Sequence, residues 1–287
     1  MNDNADQLLQ QAIELEENGH TEQAILVYNQ VIDAVPDWSV PHYNLGLLYK
    51  YQNDWQLSFV HNQKATNLSP DDEGGWWNLG IAATALQDWR TARQAWNHFG
   101  LNLEITDEEP NLNLNRAPVR LDPDNEAEVV WCTRIDPARA IIDSIPLASC
   151  GHRYGDIILN DGAAVGHRIS GGKEYPVFNE LQLLSKSIYS TYSITAYTND
   201  QRNIDKLIEL CAVSDVEIED WSTLRLLCKQ CSEGTPHERH DHDLKDRTAN
   251  DRYIGFASVA KDSLEKVLNN WRAISLCEHS EITLELK

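Results

Sequence analysis

The residues best suited to chemistry sit close together: Cys228-Lys229-Gln230-Cys231, then His237, His240, Asp241 and His242. A Cys-x-x-Cys step lets two thiolates converge on one ion, and imidazoles a short loop away can complete a tetrahedron. Ser232, Glu233, Gly234 and Pro236 supply the bends that would fold the histidines back. Thiolate with imidazole selects Zn2+ over Mg2+ or Ca2+. The expected ligands are Cys228, Cys231, His237, His240 and His242, five candidates for four places, so His240 or His242 is expected to be dispensable. Two other chemistries compete for this cluster. An open coordination position would activate water, with Glu233 or Glu238 as base, giving a metal-dependent hydrolase. Unmetallated thiols would give a redox sensor, although a thioredoxin-type pair opens a helix and this one closes an expected strand. Elsewhere there is no Gly-rich phosphate loop, no Gly-x-Ser-x-Gly elbow and no His-Glu-x-x-His. His152, His167 and His279 are read as surface or turn histidines. The balance favours a structural ion in a non-enzymatic protein.

The elements around the cluster must hold it. Tyr192–Tyr197 alternates as a strand, Asn203–Cys211 has helical spacing, and Asp215–Cys231 is extended. Tyr253–Val259 is a further strand, Leu264–Arg272 a helix capped by Asp262-Ser263, and Glu281–Leu286 a last strand. The order β-α-β, β-α-β over 187–287 suggests a ferredoxin-like α+β sandwich whose central hairpin carries the metal ligands. Before it, 127–186 reads as a small, strongly twisted sheet or part-barrel. Glu128–Trp131, Arg139–Ile142 and Asp156–Leu159 are β-branched runs, and Asn160-Asp161-Gly162 and Gly171-Gly172 are the expected turns. Gly151–Asp156 is singled out as a ligand-binding candidate against a plain turn. Residues 106–126, rich in acid, Asn and Pro, read as a linker.

The first third of the chain repeats. Leu45-Gly46 recurs as Leu79-Gly80 one 34-residue period later, with Ala92 and Trp96 following; Ala12 and Pro36 stand one period before Gly46 and Pro70, in a stretch that also holds Leu8, Ala24 and Tyr28. Ala12, Gly46 and Gly80 in first helices, with Ala24, Ser58 and Ala92 in second helices, allow close crossings. Pro36 and Pro70 end their repeats. Over residues 5–105 this pattern resembles the tetratricopeptide repeat (TPR) family: three helix-turn-helix repeats, the last irregular because Phe99 and Glu104 replace a small residue and a Pro.

The resemblance implies a concave face at Leu9, Ile13, Tyr43, Leu47, Trp77 and Ile81, flanked by Asn44 and Asn78. That face would hold a protein or peptide partner, or the chain's own C-terminal region. The TPR subclass that grips C-terminal carboxylates shares Asn44 and Asn78, but its cation positions here include Leu9 and Gly74, leaving a carboxylate poorly paired. TPR arrays often close with a polar capping helix; none is evident in the sequence, which favours self-docking of the face.

Composition bounds the rest. The 287 residues suffice for about two domains. A formal charge of −21 argues against nucleic acid or an anionic membrane surface as partner. No apolar run reaches the ~20 residues of a membrane span, and Met1–Asp6 has no export signal. Six cysteines without such a signal read as thiols or ligands, so the expected compartment is cytoplasmic. The expected fold is thus α+β: an all-α TPR array, a small β-rich segment, and a ferredoxin-like domain.

Overall fold

A computed structural model describes residues 3–125, 127–223 and 251–287. The chain divides into two compact units, Met1–Asn111 and Leu112–Lys287.

The first unit is helical: α1 (Asp3–Glu17), α2 (Thr21–Ala34), α3 (Ser39–Tyr51), α4 (Trp55–Leu68), α5 (Glu73–Ala85) and α6 (Trp89–His98). The pairs α1–α2, α3–α4 and α5–α6 are three helical hairpins, with α3 also against α5. Asp54, Asp72 and Asp88 cap α4, α5 and α6 by accepting from the amides of Leu57, Gly74 and Thr91. Each hairpin turns through a left-handed residue at one repeating position: Gly19 (φ 76°), Asn53 (58°) and Gln87 (60°). The close crossings fall where the repeat places them. A Cβ on Gly46 would lie 2.5 Å from the Asn62 side chain, and one on Gly80 2.5 Å from the Trp96 ring. In the first repeat Ala12 and Tyr28 hold the same two positions, both fully buried.

The end of the array differs from the expectation. Helix α6 is shorter than the others, and an extended segment follows it back along one face. Arg90 pairs with Asp107 at 2.9 Å, Arg93 donates to the carbonyls of Glu104 (3.0 Å) and Glu108 (3.1 Å), and Asn97 donates to Leu103 O (2.7 Å). These three side chains are spaced i, i+3, i+7, one stripe of a helix. This stripe of α6 is thus met by an extended segment and not by a further helix.

In the second unit, β1 (Arg116–Leu121), β2 (Glu128–Arg134), β3 (Arg139–Ile142), β4 (Ile157–Ser170) and β5 (Lys173–Ser185) form a closed barrel. Neighbours in sequence are antiparallel, and β1 closes on β5 in parallel at Val119 and Phe178. Three expectations are corrected here. First, β1 lies inside the stretch read as a linker; Pro118 and the buried Arg120 masked its alternation. Second, Asp161-Gly162 is not a hairpin turn. Asn160 and Asp161 are buried within β4, where register shifts against β5 mark a bulge, and the chain reverses at Gly171-Gly172 instead. Third, Asp262-Ser263 is not a cap, as the helix begins at Lys261 after Ala260, which makes no side-chain cap bond.

The remaining elements are β6 (Ser190–Ala196), α7 (Gln201–Ala212), β7 (Val216–Asp220), β8 (Arg252–Ser258), α8 (Lys261–Ser275) and β9 (Thr283–Leu286). Their sheet has the order β7-β8-β6-β9, every neighbour antiparallel. Ile194, Phe256, Ile204, Leu207, Leu268 and Trp271 form the core between sheet and helices. Trp221 binds this sheet to the loop after β3: its ring covers Gly255, and Nε1 donates to Ile145 O at 2.9 Å.

Candidate functional site

The expected contact positions lie on α1, α3 and α5, the first helices of the three repeats. Leu9, Tyr43 and Trp77 are equivalent by the repeat, as are Ile13, Leu47 and Ile81. Leu9, Ile13, Tyr43, Asn44, Leu47 and Trp77 are half-buried, while Asn78 is 4% exposed and Ile81 fully buried. Ile81 is therefore a packing residue. Neighbouring Leu45 and Leu79 are buried too, so a half-covered apolar line runs beside the core of the array.

Each side chain on that line is held by something definite. Leu9 and Ile13 rest on the cluster of Ala12, Ala24, Tyr28 and Leu45. The Tyr43 ring lies over the start of α5, where a Cβ on Gly74 would meet it at 3.0 Å. Trp77 packs edge-on against Trp96 (centroids 5.4 Å apart) and Phe99 (4.9 Å), and its Nε1 is buried without a hydrogen-bond partner. Asn78 accepts from Lys50 Nζ at 3.1 Å, and that ammonium lies 4.5 Å from the Tyr51 ring centroid. Lys50 is only 2% exposed. Sequence reading missed it; the available signal was its place three residues after Leu47, on the same helix face.

Charge distinguishes this unit. Residues 1–111 contain 17 Asp and Glu against four Lys and Arg, a formal charge of −13. Of the four cations, Lys50 is buried, Arg90 is paired with Asp107, Arg93 is bonded to backbone carbonyls, and Lys64 is exposed on α4, a second helix of its repeat.

A histidine pair joins α3 to α4, again without a sequence signal. His42 Nδ1 and His61 Nδ1 are 3.1 Å apart, so one ring must accept and be neutral. Burial pushes both down, His42 to about 4 with help from His61 and Lys64.

In the barrel, the Gly151–Asp156 segment proves to be a braced turn. His152, read as a surface or turn histidine, lies in this turn but is buried. Its Nδ1 is 2.6 Å from Cys150 O and its Nε2 2.6 Å from Glu180 Oε1, so both nitrogens donate and the ring is an imidazolium. Burial opposes that charge, but the bonds to Cys150 and Glu180 win and lift the group to about 10. Glu128 is pushed up to about 7 by burial, against the bond it accepts from Leu147 N. With both ring nitrogens committed, His152 has no lone pair with which to activate the nearby Cys150 thiol, itself raised by burial. Asp156 accepts from the amides of Arg153 (2.9 Å) and Ser187 (2.6 Å), which fixes the turn.

The expected ligands Cys228, Cys231, His237, His240 and His242 lie outside the described residues. Among the described residues no group of three or more His, Cys, Asp or Glu side chains is placed to hold a metal ion. Cys132, Cys150, Cys211 and Cys277 are free thiols, and no described helix is long and apolar enough to cross a membrane.

No protein-family model matches the chain, and no curated protein matches it. Among solved structures it is similar to the second TPR of Spaghetti (RPAP3) bound to the HSP90 peptide SRMEEVD. That likeness covers 32% of this chain and 86% of the other, at 19% identity and a TM-score of 0.31.

Proposed function

We propose that the protein is an interaction protein whose TPR array holds a protein or peptide segment on the face formed by α1, α3 and α5. One observation carries this reading. Large apolar side chains at equivalent positions of successive repeats, Leu9, Tyr43 and Trp77, stay partly exposed, while Leu45 and Leu79, two residues on from Tyr43 and Trp77, are buried. Apolar surface lined up in this way stabilises an occupant by about 25 cal/mol for each Å² removed from water.

The second unit is read as a closed barrel followed by a ferredoxin-like sandwich, on the strength of its β-α-β-β-α-β order and antiparallel sheet. Cys228, Cys231 and two of His237, His240 and His242 are assigned to a structural Zn2+ in the β7–β8 connection, on ligand chemistry alone. A cytoplasmic location follows from the reading of the cysteines as thiols and ligands.

The test is co-purification from cells of the full chain and of a Tyr43→Ser, Leu47→Ser double variant. Loss of the partner set with a melting temperature within a few degrees of the parent supports an open face. A large drop in melting temperature assigns the face to the chain's own second unit. A stable variant with an unchanged partner set refutes the proposal.

A further inference from the structure

Building on the reading just given, we infer that the partner segment is basic and amphipathic, with apolar side chains for the Leu9–Tyr43–Trp77 line and Lys or Arg along its margins. The inference comes from where charge lies around that line. On α1, Asp6 precedes Leu9 by three residues, and Glu16 and Glu17 follow Ile13 by three and four, so all three share its face. At the other end, Glu73 opens α5 beside Gly74, over which the Tyr43 ring lies. Asp6, Glu17 and Glu73 are exposed; Glu16 is half-buried and accepts from Tyr28 Oη at 2.6 Å. The cation on the same face, Lys50, is turned inward onto Asn78.

An acidic or carboxylate-terminated segment would therefore meet like charge with no exposed cation on this line to receive it. A basic segment would meet a unit of formal charge −13 whose field adds to the apolar contact. Exposed charges act over a Debye length of about 10 Å at 0.1 M salt. The attraction should therefore be strongly salt-dependent, and the apolar contact should not be.

The experiment uses the full chain and two labelled synthetic peptides, each about four helical turns long. One is amphipathic Leu/Lys and the other is the same with Glu for Lys; binding is read by fluorescence anisotropy. The Leu/Lys peptide should bind at least about tenfold more tightly than the Leu/Glu peptide. Its affinity should fall about tenfold between roughly 0.02 and 0.3 M salt. The triple variant Asp6→Asn, Glu17→Gln, Glu73→Gln alters exposed groups only, and should weaken it several-fold with an unchanged melting temperature. Tyr43→Ser with Leu47→Ser should weaken both peptides. Equal or tighter binding of the Leu/Glu peptide overturns the basic-partner inference and leaves the contact face standing. Leu/Lys binding that ignores Tyr43→Ser and Leu47→Ser is adsorption to an acidic surface and overturns the face itself. Binding of neither peptide overturns both.

Discussion

Replacing Gly80 by Ala should destabilise the helical array even though Ala is the better helix former. The added Cβ would lie 2.5, 2.6 and 2.8 Å from three ring atoms of Trp96, about 1 Å inside ordinary carbon contact. Trp96 is fully buried and wedged edge-on against Trp77, so the ring has nowhere to retreat. Overfilling a packed site costs about 1–3 kcal/mol, and the ring's rigidity puts this case at the upper end. The gain in helix propensity returns about 1 kcal/mol, leaving a net loss of about 1–2 kcal/mol. For a unit of this size that lowers the midpoint by several degrees. Gly75 on the same helix is the control. There a Cβ meets Asp72 Oδ2 at 3.1 Å and Thr66 Cγ2 at 3.2 Å, contacts that can relax by tenths of an ångström. Gly75→Ala should be neutral or stabilising by up to about 1 kcal/mol. The assay is denaturant unfolding of the full chain followed by far-UV circular dichroism, repeated in a Trp96→Leu background. With the ring gone, Gly80→Ala should change sign and stabilise. An equal loss in both backgrounds would refute the ring as the cause.

Other consequences follow from the structure and, for the proposed zinc ligands, from their chemistry alone. His42, held near 4 when folded and titrating near 6.5 when unfolded, makes the array lose stability as pH falls from about 6.5 towards 4, by on the order of 1–3 kcal/mol. Melts of the parent against His42→Gln with His61→Gln should diverge only in that window; parallel curves would contradict the pairing. His152, lifted to about 10, gives the second unit the opposite trend: its contribution is complete below about pH 6.5 and is lost as pH rises towards 10. Melts of His152→Gln should lack that alkaline decline. Gln87→Gly relieves a left-handed residue in the third hairpin turn and should stabilise by up to about 1 kcal/mol in urea unfolding. Cys228→Ser with Cys231→Ser should remove about one Zn2+ per chain by elemental analysis and lower the melting temperature; equal metal in both proteins would end the zinc assignment.

Much of the first unit was legible because its rules are local and repeat. Small residues at 12, 46 and 80 marked the close crossings, and Pro36 and Pro70 marked the ends of repeats; that residues 62 and 96 fill the crossings at Gly46 and Gly80 emerged only from the structure. What escaped was the irregular close of the array. The bonds of Arg90, Arg93 and Asn97 to an extended segment carry no periodic signature. In the barrel, β1 was hidden by Pro118 and buried Arg120, and the bulge at Asn160-Asp161 used residues that elsewhere make turns. The sheet of the second unit was easier, since alternation and helical spacing in 190–286 are clean. On the proposed contact face, Tyr43, Leu47 and Trp77 were mapped by the TPR resemblance and are partly buried. Ile81 was drawn into the core by the close approach of α5, and Lys50 was overlooked because a buried ammonium paired with an amide looks like any surface lysine. His42 and His61 meet only because α3 and α4 fold against each other, a pairing no linear spacing encodes.

The face built from Leu9, Tyr43, Leu47 and Trp77 is proposed to hold a partner. The most direct measurement is the partner set recovered with the full chain and with the Tyr43→Ser, Leu47→Ser variant, each checked for its melting temperature. An open contact face gives a variant that melts within a few degrees of the parent and has lost its partners. A variant equally stable and still carrying the same partners would contradict it.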